Sequence, residues 1–220
     1  LAYISGMSRV LRKLGLSFRL LPLLDPDLAS LARLGRFYGR GLSPPTFNLE
    51  FEKVSTGVRA LDDLLEGGVE TCAITEFIGE FGAGKTQLCH QLAVMVQLPP
   101  ERGGLSARCL YIDTEGTFRP ERIVSIARYR GIDPEKALEG IIYARAYNSD
   151  HLVELLRAGL ALAPTLGIKL LIVDSPFSPP YAQYGGKPLE LSRALWRIAR
   201  LLRRAADSGL AVVALSLIHI

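Results

Sequence analysis

Gly79-Glu80-Phe81-Gly82-Ala83-Gly84-Lys85-Thr86 is a glycine-rich run ending in Gly-Lys-Thr, set between two segments of different periodicity. The preceding Thr71-Cys72-Ala73-Ile74-Thr75-Glu76-Phe77-Ile78 is apolar and β-branched and reads as a strand. From Thr86 to Val96 the apolar residues recur at helical spacing. A loop between a strand and a helix can turn its backbone N–H groups inward to cradle phosphates, and glycine permits the tight turn. In that pattern Lys85 reaches the β- and γ-phosphates, and the Thr86 hydroxyl ligates Mg²⁺. Residues 79–86 are therefore the expected binding site of a nucleoside triphosphate.

Outward from this loop, strand and helix signals alternate. Ser55-Thr56-Gly57 opens a short helix carrying Leu61, Leu64 and Leu65, closed by Gly67-Gly68. Buried strands are expected at 109–113, 141–144, 168–174 and 211–214. Helices are expected at 120–129, from Ser149 to about Leu162, and from about Leu189 to Ala206. Continuous apolar strands separated by helices predict an α/β fold: a mostly parallel sheet covered by helices on both faces. Residues 1–45 form a basic, leucine-rich stretch and linker, read as a short N-terminal helical appendage, and 46–220 form the core. The appendage reads as a solvated helical face, a nucleic-acid-binding module or a mistranslated upstream segment. The closing run Leu215-Ser216-Leu217-Ile218-His219-Ile220 resembles the translated end of a transposon used in sequencing libraries. A core truncated at its C-terminal side, with 215–220 non-native, is the expectation.

Composition narrows the class. With 220 residues, 49% apolar content and 22% charged residues, the chain suits one packed α/β domain and excludes wholesale disorder. A net charge of +4 permits a polyanionic partner without demanding one. Cys72, Cys89 and Cys109 lie in apolar segments without metal-ligand spacing, which suits reduced core thiols. His90 and His151 read as local hydrogen-bonding or surface residues rather than metal ligands. No apolar run approaches bilayer-spanning length and no signal peptide is evident, so a cytoplasmic location without membrane contact is expected.

A phosphate loop needs a second acid for its metal, at the carboxyl end of a neighbouring buried strand. Asp174 ends Leu170-Leu171-Ile172-Val173 and meets that demand, the plain alternative being a turn aspartate. Hydrolysis also needs a group that orients water. Glu115, just past the strand ending at Asp113, is the leading candidate. A helix-start carboxylate is its plain alternative, and Asp113 or Glu80 competes for the role.

Several further segments carry a resemblance. They include Leu61-Asp62-Asp63-Leu64-Leu65, Gly67-Gly68-Val69-Glu70-Thr71, Gly84-Lys85-Thr86-Gln87-Leu88 and Val94-Met95-Val96-Gln97-Leu98-Pro99-Pro100. Asp113-Thr114-Glu115 and Thr117-Phe118-Arg119-Pro120-Glu121-Arg122 continue it. Together they resemble the archaeal RadA branch of the RecA/RadA recombinase family, closely from Val54 to Asn148 and more loosely to Val213. The resemblance implies a RecA-like P-loop NTPase core and a DNA-dependent ATPase of recombination and repair. It implies filaments on single-stranded DNA that pair it with a homologous duplex, hence ATP and Mg²⁺ as cofactors and a homo-oligomer. It assigns Glu115 as the catalytic glutamate beside Lys85, and Asp174 as the second metal-associated acid. It sets Arg122 on the adenine and gives Gln87 a supporting role. The family's first DNA-binding loop follows Asp174-Ser175. Here Tyr181 stands where the family has an arginine, while Tyr184, Lys187 and Arg193 keep matching or conservative types; all four are the expected DNA contacts, a plain structured turn being the alternative. Two rivals remain: a recombination mediator with weak ATPase, and a RecA-like hexameric motor.

Overall fold

The computed structural model describes residues 51–217. The expected N-terminal appendage and residues 218–220 lie outside the described residues. Two short strands, β1 (Lys53–Val54) and β2 (Val69–Glu70), pair antiparallel around helix α1 (Arg59–Leu64). Asp62 anchors the turn before α1, its carboxylate accepting from the Thr56 N–H at 2.7 Å and the Ser55 hydroxyl at 2.6 Å.

Five strands form the main sheet: β3 (Ala73–Gly79), β4 (Arg108–Asp113), β5 (Ile141–Arg145), β6 (Ile168–Asp174) and β7 (Ala211–Leu217). All pair parallel, in the order β3-β7-β6-β4-β5. Parallel strands need crossovers, and helices supply them. These are α2 (Lys85–Met95), α3 (Pro120–Tyr129), α4 (Pro134–Glu139), α5 (Ser149–Leu166), α6 (Ser178–Tyr184) and α7 (Pro188–Asp207). Alternate residues of β4, β6 and β7 feed two cores. Cys109, Tyr111, Leu170, Ile172 and Val213 pack with α2 and α3, whereas Leu110, Ile112, Leu171, Val173 and Val212 pack with α5 and α7. The fold is thus the α/β, helix-covered parallel sheet read from the strand and helix pattern.

Three elements depart from the sequence reading. The 134–139 helix carries one buried residue, Ala137, too few for a periodic signal. The segment 71–78 divides, because Thr71 and Cys72 form a turn between β2 and β3. The proline-rich segment after Ser175 forms α6 instead of an open loop. Pro179 and Pro180 fall in its first turn, where the missing N–H groups would have had no intrahelical partner.

Among the described residues all three cysteines are free; Cys89 and Cys109 are buried and Cys72 is half-buried. Burial pushes the Cys89 and Cys109 thiols well up, as fits inert core residues. No helix of the described residues is long and apolar enough to cross a membrane.

Candidate functional site

The strand order brings the carboxyl ends of β3, β6 and β4 to one edge of the sheet, where open α/β sheets place their ligand crevices. A cleft of about 430 Å³ opens there. The phosphate-loop side contributes Phe81, Gly82, Gly84, Lys85, Thr86 and Gln87; the segment after β4 contributes Glu115, Thr117 and Arg119. Asp174, Ser175 and two residues of β7, Leu215 and Ser216, complete the wall.

Gly82 and Gly84 hold φ of +82° and +91°, a left-handed conformation that side-chain-bearing residues adopt only under strain. Gly84 is also the N-cap of α2, so the loop delivers the chain directly into a helix start whose first N–H groups lack helical partners. The Lys85 ammonium donates to the carbonyls of Gly79 and Glu80, both at 2.8 Å, and is seated within the loop. Phe81 lies almost fully in solvent, 95% exposed. Glu80 and Ala83 are exposed loop residues, and neither lines the cleft.

Asp174 is buried at the end of β6 and receives three hydroxyls on a single oxygen, Oδ2. Thr86 donates at 2.9 Å, Thr117 at 3.2 Å and Tyr111 at 3.3 Å. Burial raises its carboxyl above the usual range, and the hydroxyls of Thr86 and Thr117 oppose that rise. A threonine hydroxyl touching a carboxylate is a hard, all-oxygen donor pair of the kind Mg²⁺ takes, so the residues present fit the metal.

Asp113 faces Asp174 across the β4–β6 register and is fully enclosed. Its carboxylate accepts the N–H groups of Glu115 at 2.9 Å, Gly116 at 2.7 Å and Phe118 at 3.2 Å, and the Tyr143 hydroxyl at 3.2 Å. Arg145 forms an ion pair with it at 3.3 Å. Gly116 holds φ of +76°, the left-handed region that favours glycine, and the Arg145 guanidinium lies against it. Committed in this way, Asp113 has no oxygen left to orient water; its task is to fold the segment that carries Glu115. Glu115 itself is exposed on the cleft wall.

Two participants escaped the sequence reading, and His90 makes the kind of local hydrogen bond expected of it. Thr117 reaches Asp174, and Arg119 lines the cleft with its guanidinium donating to the carbonyls of Gly116 at 3.0 Å and Phe118 at 2.9 Å. His90, buried on α2, accepts the Arg119 N–H on Nε2 at 3.0 Å, stacks on Tyr111 and packs at a tilt against Phe118. That bond requires the neutral tautomer with its proton on Nδ1. Burial accordingly lowers the imidazole's affinity for a second proton. Two polar residues flanking a helix start were the only local signal for Thr117 and Arg119.

The remaining candidates lie elsewhere. Arg122 is exposed on the first turn of α3 and is not among the residues lining the cleft. Tyr181 is 58% exposed on α6, and Tyr184 at its end directs its hydroxyl to Asp150 at 3.5 Å. Lys187 and Arg193 are exposed, at and within the start of α7. The structure thus brings Lys85, Thr86, Gln87, Glu115 and Asp174 to one cleft, and Tyr181, Tyr184, Lys187 and Arg193 to the α6–α7 segment.

The model of the Rad51 family matches residues 49–216, which include β1 and nearly all of β7. A glycine loop opening a helix and an acid ending the next-but-one strand lie within that match, and this chain belongs to the Rad51 family, a RecA-type recombinase and ATPase group.

Proposed function

We propose that the chain is the ATPase core of a RadA-like recombination protein, a DNA-dependent ATP hydrolase acting in homologous recombination and repair. The observation that carries this reading is the meeting of Lys85, Thr86, Glu115 and Asp174 on the walls of one cleft. In it, the loop N–H groups and Lys85 hold the triphosphate, and Lys85 exchanges its two carbonyl partners for phosphate oxygens. Thr86 and Asp174 hold Mg²⁺, which supplies neutralisation of the phosphate charge. Glu115 orients water toward the γ-phosphate, Arg122 stacks its flat guanidinium on the purine, and Gln87 supports the loop.

Bound ATP favours the filament form that grips single-stranded DNA and pairs it with a duplex, and hydrolysis releases it. Such coupling requires different nucleotide affinities in the two forms. Tyr181 and Tyr184 offer stacking surfaces, and Lys187 and Arg193 offer phosphate contacts. Tyr181, in the place of a family arginine, favours a second reading, a mediator with weak ATPase whose turnover DNA does not stimulate.

Fluorescent-nucleotide binding and phosphate release, each with and without single-stranded DNA, test this. Lys85→Ala is expected to lose nucleotide binding or turnover, and Glu115→Gln to keep binding while hydrolysis slows at least about 100-fold. Normal turnover in either variant refutes the assignment. Wild-type turnover indifferent to DNA would instead favour the mediator.

A further inference from the structure

Helix α7 presents two unlike faces. Ala194, Ile198, Leu201, Leu202, Ala205 and Ala206 are buried against the sheet, while the opposite face carries Trp196, 61% exposed, and a series of arginines. Trp196 is the only tryptophan of the chain. One turn on, the Arg200 guanidinium carbon lies 5.2 Å from the indole centroid. Ser192, Arg193, Trp196 and Arg197 line an open cleft of about 410 Å³, within the span of roughly 300–1,000 Å³ usual for small-ligand clefts.

Charge on this face is poorly balanced. Arg197 meets Asp150 at 3.7 Å and Arg203 meets Asp207 at 2.9 Å, both pairs solvent-exposed. Arg193 and Arg200 have no carboxylate at ion-pair distance among the described residues. A stripe that served only solubility would need no large indole in water, because that surface gains free energy when covered. Arg200 covers one side of the ring, and the cleft lies against the same residue. A flat π surface beside the guanidinium groups of Arg193 and Arg200, neither ion-paired among the described residues, matches a polymer that alternates flat bases with phosphates.

We propose that Trp196 is a stacking platform for a base of single-stranded nucleic acid, with Arg193, Arg197 and Arg200 taking the flanking phosphates. The class of partner rests on the DNA-binding reading above, but Trp196, Arg197 and Arg200 have no part in that reading.

The lone tryptophan makes the test direct. The chain is titrated with a thymidine oligomer at several salt concentrations while Trp196 emission is followed, and a fluorescein-labelled oligomer reports binding independently by anisotropy. Emission is expected to change with the same midpoint as the anisotropy. Trp196→Ala should weaken binding about 5- to 150-fold, and Trp196→Phe less, since a ring remains. Arg200→Ala should lower the slope of log affinity against log salt by about one. Thermal melts of the exposed-site variants check that the fold persists. Binding by anisotropy with unchanged emission and unaltered affinity in Trp196→Ala would overturn the platform yet leave DNA binding standing. No binding by the wild type, with or without ATP, would remove both. Emission that follows protein concentration alone would make the patch an interface between copies, and would also overturn the proposal.

Discussion

Two aspartates end adjacent strands in register, Asp113 on β4 and Asp174 on β6, and the structure treats them in opposite ways. Asp113 is held by three backbone N–H groups, a phenol and a guanidinium, partners that are parts of the scaffold itself. Asp174 has no backbone N–H or guanidinium partner among the described residues; besides the Tyr111 phenol it is held by the hydroxyls of Thr86 and Thr117, which rotate and can be given up to a metal. A buried strand ending in aspartate therefore says little about the acid's role. What surrounds its oxygens separates a carboxylate that shapes a loop from one that serves a ligand.

The comparison breaks if the two substitute alike. The largest effect is expected from Asp113→Ala, which orphans three N–H groups and leaves Arg145 unpaired. Stability should fall by about 3–5 kcal/mol in urea unfolding. Asp174→Asn keeps an oxygen for the three hydroxyls and removes a charge that burial disfavours, so unfolding should shift by less than about 1 kcal/mol. Its magnesium-dependent hydrolysis should nonetheless be lost, measured as phosphate release against magnesium concentration. A strongly destabilised Asp174→Asn protein would erase the distinction.

The smallest effect concerns His90, which braces the Asp113 side through the Arg119 N–H. Its folded state disfavours the proton, so the unfolded chain binds more protons below the ordinary value of 6.5. This contribution to stability is complete above that value and is lost as pH falls through the lower folded one. The melting temperature of the wild type should thus drop on acidification more than that of His90→Gln, whose amide oxygen can still accept the Arg119 N–H. Parallel pH profiles for the two proteins would refute the assigned tautomer.

Much of this was legible along the chain. The run 168–174 ends at Asp174 as the apolar pattern indicated, and Pro120 opens its helix where the sequence placed it. Glycines at 82 and 84 announced a loop that needs positive φ. The role of Asp113 was not legible, because Tyr143 and Arg145 come from β5, some thirty residues away, and meet it only through strand pairing. Thr117, in the segment after β4, reaches Asp174 because β4 and β6 end side by side. The helix at 178–184 was hidden by its own prolines, which break a helix interior but suit its first turn. Local pattern names the groups able to do chemistry; strand order decides which of them meet.

The seating of Lys85 bears on what could replace it. With two of its three protons given to carbonyls at 2.8 Å, the ammonium is held in place by the loop before any anion arrives. A compact point charge suits such a berth between neighbouring carbonyls. The broad, planar fork of arginine does not, so equal charge at position 85 is not equivalence.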